Sequence, residues 1–325
     1  MSNRIKVAAI VGPTASGKSA LSLEIAKALD GEIISCDSMQ LYRGMNIGTA
    51  KPSDSERALV PHHMIDIVDA GENFSCADYA ELAKEKIREI SSRGKLPILC
   101  GGTGLYLDSV LRGGSFEETK IDMAYREKLY ELAKTQGNLY IHSMLKEIDL
   151  QAAEAIHPNN VKRVIRALEI YKTSGVTKTE ADRRSREGEL LYDSLVIGLR
   201  YSDREVLYRK IDKRVDKMMD DGLLDEVRAL ENKSVFEKSN TASQAIGYKE
   251  LLGYLHGSCS AEAAVEELKR ATRHYAKRQM TWFSTKKDII WIDLDEKFGS
   301  DSVTFEKIVN NIIKLFYDKG FYDIM

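Results

Sequence analysis

Short apolar runs alternate with amphipathic stretches through the first third of the chain. Residues 5–11 (IKVAAIV), 32–36 (EIISC), 64–68 (MIDIV) and 96–100 (LPILC) are short, apolar and rich in β-branched side chains, which predicts buried strands. Between them, 20–29 (ALSLEIAKAL) and 79–91 carry helical periodicity, and the second helix is opened by a capping box at Ser75 and Asp78. Strands alternating with helices predict a parallel sheet covered on both faces. The alternation stops near Gly113. From 122 to 174 the periodicity is helical, in the segments YREKLYELAKTQ, LYIHSMLKEID and VKRVIRALEIYKTS, with a break at Pro158-Asn159-Asn160 before the last. Residues 195–199 (LVIGL) restore a strand. A capping box at Ser202 and Glu205 then opens a long helix toward Gly222, 289–294 (IIWIDL) is a last strand, and 305–317 a terminal helix. The expected organisation is a core of 1–118 and 191–295, a helical insertion at 119–190, and a C-terminal helix within 296–325.

The turn between the first strand and first helix carries the chemistry. Gly12-Pro13-Thr14-Ala15-Ser16-Gly17-Lys18-Ser19 fits the phosphate-loop pattern G-x-x-x-x-G-K-[ST], in the strand–loop–helix context it requires. Backbone N–H groups there converge on phosphate oxygens, and the helix adds its N-terminal dipole. Lys18 reaches the terminal phosphates, and the Ser19 hydroxyl suits a magnesium ion. The fold class expected is therefore α/β, a P-loop NTPase-like parallel sheet core with a helical insertion. Asp37, directly after the second strand, fits two roles equally: metal holding or proton abstraction at the sheet's carboxyl end, or an N-cap. Gly101-Gly102-Thr103-Gly104 breaks sharply from the fourth strand and turns Thr103 toward the same cleft. Arg204, Arg209, Lys210, Lys213, Arg214 and Lys217 alternate with acids, the pattern of a solvated face from which an arginine can also turn inward. Residues 268–287 hold seven Lys or Arg and no acid. Leu268, Thr272, Tyr275, Gln279 and Trp282 fall on one stripe, Arg270, Arg273 and Lys277 on another. This fits phosphate-backbone contact with base stacking, or an ordinary cationic surface.

Composition narrows the setting. A formal charge of −2 confines any polyanion-binding surface to a local patch. The four cysteines form no C-x-x-C pair, as expected of reduced thiols and not of a zinc site. No leader pattern and no membrane-length apolar run stand in the chain, so the expected location is the cytoplasm.

The loop GPTASGKS, the segment ISCDSMQLYRGMNIGTAKP, the turn GGTGLY, HPNNVKRVIRALEIYKTSG, LYRKIDKRVDKMMDDGLLDEV, QAIGYKE and AKRQMTWF occur in this order. Together they resemble the tRNA dimethylallyltransferases, from residue 7 to about residue 293. The zinc finger of nuclear and mitochondrial relatives has no counterpart in the Cys/His spacing here, so the likeness is to the bacterial type. The resemblance implies transfer of a dimethylallyl group from dimethylallyl diphosphate to N6 of the adenine 3′-adjacent to the anticodon, by a monomer that binds the tRNA anticodon stem-loop and uses Mg²⁺. It implies that residues 14–19 cradle the diphosphate, with Arg214 against it, and that Asp37 is the general base, with Thr103 near the reacting centre. Contacts to tRNA are implied for Asp37, Ser38, Met39, Gln40, Thr103, Arg126, Lys162, Arg163, Arg166, Gln244, Gly247, Lys249, Lys277, Arg278 and Trp282. Gly104 departs from the pattern, since many relatives carry Met or a larger residue there, and a looser turn is expected. Two other classes share the loop. A small-molecule kinase leaves the basic aromatic block unexplained, and a non-catalytic nucleotide-gated RNA-binding module leaves Asp37 and Thr103 idle. Neither strand end at Cys36 or Cys100 carries the Asp-Glu of a working ATPase.

Overall fold

The structure, a computed structural model, describes residues 4–112, 122–187, 189–238, 241–295, 297–298, 301–302 and 305–321. It divides into two compact units, one of residues 1–110 with 192–325 and the other of 111–191. The boundary expected at 118/119 falls outside the described residues.

The first unit is built on a parallel six-stranded sheet, order β3-β2-β4-β1-β5-β6. The strands are β1 (Lys6–Val11), β2 (Gly31–Ser35), β3 (His62–His63), β4 (Leu96–Gly101), β5 (Asp193–Arg200) and β6 (Ile289–Asp293). Helices α1 (Lys18–Ala28), α2 (Asp54–Leu59), α3 (Cys76–Ser92) and α4 (Gly104–Leu111) follow its strands. The strand expected at 64–68 does not form. Met64 and Asp66 take left-handed φ values of 60° and 55°, which no extended run accommodates. Asp66 is held in that bend by Lys51 and Arg57, at 2.5 and 3.0 Å, while β3 ends one residue before it starts. Central β1 is buried from Val7 onward because it is covered on both faces, by α1 with the C-terminal helix on one of them.

In the second unit five helices, α5 (Met123–Gln136), α6 (Asn138–Ile148), α7 (Leu150–Ala155), α8 (Val161–Ser174) and α9 (Lys178–Glu187), surround a core of Leu129, Ile141, Leu145, Val164, Ile165 and Leu168. Helical periodicity in the sequence marks three of them; α7 is too short to show it. The Leu191 N–H donates to the Leu111 carbonyl at 2.9 Å, and Arg112 bridges Leu190, so the unit's two ends lie side by side.

Back in the first unit come α10 (Arg204–Asp220), α11 (Leu223–Glu231), α12 (Val235–Lys238), a 3₁₀ turn (Ala242–Gln244), α13 (Tyr248–Leu255), α14 (Ala261–Ser284) and α15 (Phe305–Asp318). The cap of α10 is Asp203, not the Ser202 capping box the sequence implied. The N–H groups of Ser202 and Asp203 are held by Asp295, and the Ser202 hydroxyl by Asp293. Helices α10 to α14 pack on residues 42–70, with Tyr42, Met45 and Tyr248 in the shared core. Among the described residues, no helix is long and apolar enough to cross a membrane.

Candidate active site

The phosphate loop leaves β1 through Gly12, whose φ of 145° only glycine adopts freely; a Cβ there would lie 2.5 Å from the Leu199 carbonyl oxygen. Ala15 is left-handed, and Gly17, also left-handed, caps α1 without a side chain, so no side-chain cap takes the first-turn amides of α1. Ser16 is 3% exposed and its hydroxyl has no hydrogen-bond partner. A buried orphan of this kind is costly unless a ligand satisfies it. Lys18 donates to the Pro13 carbonyl at 2.6 Å from within the loop. Burial, aided by Arg214, lowers its pKa to about 8, against the opposing pull of Asp37.

Loop, strand ends and helices meet in one cleft lined by Thr14, Lys18, Ser19, Asp37, Gly101, Gly102, Arg214, Tyr275 and Gln279 among others. Arg214 is the inward-turning arginine of α10. Burial holds its guanidinium below the ordinary range, and the Asp37 carboxylate partly offsets this. Asp37 is held by an N–H of its own chain, since Met39 N donates to Oδ1 at 2.9 Å. Thr103 opens no gap toward it: its hydroxyl oxygen accepts from Ser38 N–H at 3.2 Å, and its N–H donates to the Cys36 carbonyl at 3.2 Å. The Tyr275 hydroxyl is pushed above its usual range by burial and by Asp37, while Thr103, Arg278 and Gln279 oppose the shift. The cleft therefore gathers two cations beside a carboxylate and a hydroxyl, next to the backbone N–H groups of the phosphate loop. That arrangement stabilises a departing polyanion and accepts a proton from a neighbouring group.

The remaining candidates divide. Gln40 lines the cleft but spends both amide ends on its own segment, accepting from Ser35 and donating to the Thr49 and Ala50 carbonyls. Gln244 and Lys249 are exposed, whereas Gly247 is buried and its N–H donates to Glu250. In the second unit Lys162 and Arg163 are exposed on α8. Arg126 has a partner within its own unit: its guanidinium grips Glu169, 1% exposed, through two bonds, the longer 2.8 Å, and Arg166 adds a second cation at 3.5 Å. A buried carboxylate must be paired, and Arg126 is committed to that pairing. The acid-free run on α14 is also less cationic than its sequence. Lys269 pairs with Asp216, Arg273 with Asp212, Arg270 with Glu267 and Lys286 with Asp108, whereas Lys277 and Arg278 are exposed without a carboxylate partner among the described residues. Trp282 is 42% exposed, its indole N–H directed at Asp108 at 3.2 Å and its ring laid on Gly104, where a Cβ would sit 2.2 Å away. The glycine departure thus makes room for an indole, and α4 starts there.

The sequence pattern of the IPP transferase family matches residues 40–286. The chain belongs to that family. Among the relatives of this IPP transferase, a tRNA dimethylallyltransferase of Bacillus anthracis is 52% identical over 293 residues, 90% of this chain and 92% of the relative. Full-length tRNA isopentenylpyrophosphate transferase from Bacillus halodurans matches in structure with a TM-score of 0.71 and 44% identity, covering 97% of each chain. A eukaryotic dimethylallyltransferase acting on tRNA matches with a TM-score of 0.77 and 31% identity, over 95% of this chain and 80% of its own. The P-loop NTPase-like core expected from the sequence is the fold of these relatives.

Three features of the IPP transferase cleft were given no role by the sequence. Gln279 joins the phosphate loop to the turn after β4. Glu226 on α11 accepts from the N–H groups of Asn46, Ile47 and Gly48 at 2.8–3.1 Å and from the Tyr248 hydroxyl at 2.7 Å, fixing the segment that follows Asp37. His62 lines the cleft with Nδ1 on the Val60 carbonyl, and burial keeps it neutral to a lower pH than usual. The Pro61-His62-His63 doublet was the one visible signal for the last.

Proposed function

We propose that this IPP transferase moves a dimethylallyl group from dimethylallyl diphosphate to N6 of the adenine 3′-adjacent to the anticodon of tRNA. The observation that carries the reading is the cleft itself. Thr14, Lys18 and Ser19 of the phosphate loop meet Arg214 and Asp37 in one cleft, and Thr103 stands at the adjoining strand end with its oxygen on the Ser38 N–H. In the transfer, the bond between the donor's C1 and its bridging oxygen breaks as the N6–C1 bond forms. Lys18, Arg214 and the loop amides take up the negative charge gathering on the diphosphate. Asp37 accepts the proton that N6 sheds, a contribution of about 10²–10⁴-fold for a well-placed base. Thr103, whose oxygen accepts from Ser38 N–H and whose side chain also reaches the Tyr275 hydroxyl, fixes the turn beside the reacting centre.

A divalent ion fits the donor set. The Ser19 hydroxyl lines the cleft next to the loop, and no cluster of three or more His, Cys, Asp or Glu gathers among the described residues. That is the habit of magnesium, which takes most of its ligands from phosphates and water. Ser19 would hold it, and its charge would add to that of Lys18 on the leaving group.

The acceptor side of the proposal assigns tRNA contact to Lys277, Arg278 and Trp282 on α14, to Gln244 and Lys249, and to Lys162 and Arg163 on α8. An adenine within an anticodon loop must leave its stack to present N6, at a cost of a few kcal/mol. Action in the cytoplasm by a single chain belongs to the same proposal, and light scattering reads the second point. The test incubates the protein with dimethylallyl diphosphate and an anticodon stem-loop, the same adenine in a continuous duplex, or AMP. A mass gain of one dimethylallyl group on the stem-loop, with none on the duplex, is expected. Preference for AMP, or phosphoryl transfer from ATP to a small acceptor, would overturn the reading.

A further inference from the structure

The cleft is assembled from stretches far apart in the chain: the phosphate loop, the turn after β4, and α14. One side chain touches all three. Gln279, on α14 and 5% exposed, accepts from the Thr14 N–H through Oε1 at 2.8 Å and donates from Nε2 to the Gly102 carbonyl at 3.0 Å. Both partners are backbone groups of one sense each, so the orientation of the amide is fixed. The approach depends on Gly102, where a Cβ would lie 2.0 Å from Nε2. The helix beneath is anchored independently by Ala276 and Phe283, both buried, so the amide spans two loops from a rigid support.

We infer that Gln279 is a positioning residue for the transfer, setting the spacing between the loop that holds the leaving diphosphate and the turn that presents Thr103 to the acceptor. The inference rests on the function proposed above. Thr14 sits in the loop one residue before left-handed Ala15, and Gly102 immediately precedes Thr103. The two bonds therefore act on the donor end and the acceptor end of one displacement. A misplacement of about 1 Å between such ends costs about 10²-fold in rate. Neither bond touches substrate, so the effect belongs on the rate at saturation rather than on tRNA affinity.

Two substitutions separate positioning from simple support. Gln279→Leu keeps bulk and loses both bonds. Gln279→Glu keeps the acceptor for Thr14 but, when ionised, cannot donate to Gly102 and sets a negative charge beside the loop. Protonated, the introduced carboxyl accepts and donates as the amide does; burial beside a carbonyl and the Asp37 carboxylate raise its pKa, against the pull of Lys18 and Arg214, which line the same cleft. The expected result is a kcat about 100-fold lower for Gln279→Leu at all pH values, with KM for the stem-loop within about threefold of wild type. The Gln279→Glu variant should match it at about pH 8 and recover toward wild type at about pH 6, as a ratio to wild type at each pH. Calorimetric titration of inorganic diphosphate should show the same acid recovery of affinity for Gln279→Glu, as a ratio to wild type, and none for Gln279→Leu. A kcat within about threefold of wild type for Gln279→Leu, or a Gln279→Glu ratio that stays flat across that pH range, overturns the inference. Should Gln279→Leu not fold, the Gln279→Glu pH ratio decides alone. A wild-type chain that binds diphosphate but alkylates no RNA would sink the proposed function, and the diphosphate titrations would still judge Gln279.

Discussion

Lys18 and Asp37 stand on opposite sides of the proposed chemistry, and their removal should be felt differently. Lys18→Ala is expected to cripple turnover and donor binding while leaving stem-loop affinity nearly unchanged, because its proposed partner is the diphosphate alone; equal loss of both affinities would point to misfolding. Its lowered pKa gives a second readout. In the free protein the ammonium is charged below about pH 8 and neutral above it. Affinity for inorganic diphosphate should therefore fall as pH rises through about 8, and the fall should vanish in Lys18→Met. An identical profile in both proteins would take Lys18 out of the anion site. Asp37→Ala is expected to slow single-turnover transfer by about 10²-fold or more with both substrates still bound; a rate within a few-fold of wild type would leave Asp37 a turn residue that only holds the Met39 N–H.

At the level of elements, α14 shows why charge in sequence is not charge in space. Reversing Lys277 and Arg278 to Glu should weaken tRNA binding and lower the log–log salt slope by about 0.7–0.9 for each phosphate left unneutralised. Reversing Lys269, which Asp216 already neutralises, should cost stability and leave that slope alone. Arg126→Ala leaves the buried Glu169 carboxylate only the more distant Arg166, at 3.5 Å, and on the order of 3 kcal/mol of that unit's stability should disappear in urea titration. Weaker RNA affinity with unchanged stability would restore Arg126 to the binding surface. These cases mark what the sequence could carry. The phosphate loop was legible because its pattern is local, as were the strands that are wholly buried and the Ser75 capping box. The missing strand at 64–68 was not, because Lys51 and Arg57 bend Asp66 from outside its window. Glu226 gathers amides 178–180 residues away, and Gln279 joins groups 177 and 265 residues away. Nothing near either residue in the chain announces such partners. The pairing of Lys269 and Arg273 on α14 by α10, and of Lys286 just past it by α4, was hidden for the same reason.

For the whole molecule, the side-by-side ends of the second unit matter most. Replacing residues 112–190 with a short glycine linker should leave the first unit folded and still able to bind inorganic diphosphate, while stem-loop affinity drops; a shortened chain that fails to fold would show that the insertion is needed for the core. The same closed ends govern how the chain condenses as it is made. β5 pairs with β1 but is synthesised only after the whole insertion. While residues 111–191 remain a slack loop, docking β5 must close it. Once the helices have packed and Leu191 has met Leu111, the loop behaves like a turn of a few residues. By the logarithmic cost of closure, that saves about 3 kcal/mol. The insertion should thus acquire its hydrogen-exchange protection first, with β5 and β6 joining the sheet last, so that the piece proposed to read the RNA also schedules the assembly of the piece proposed to modify it.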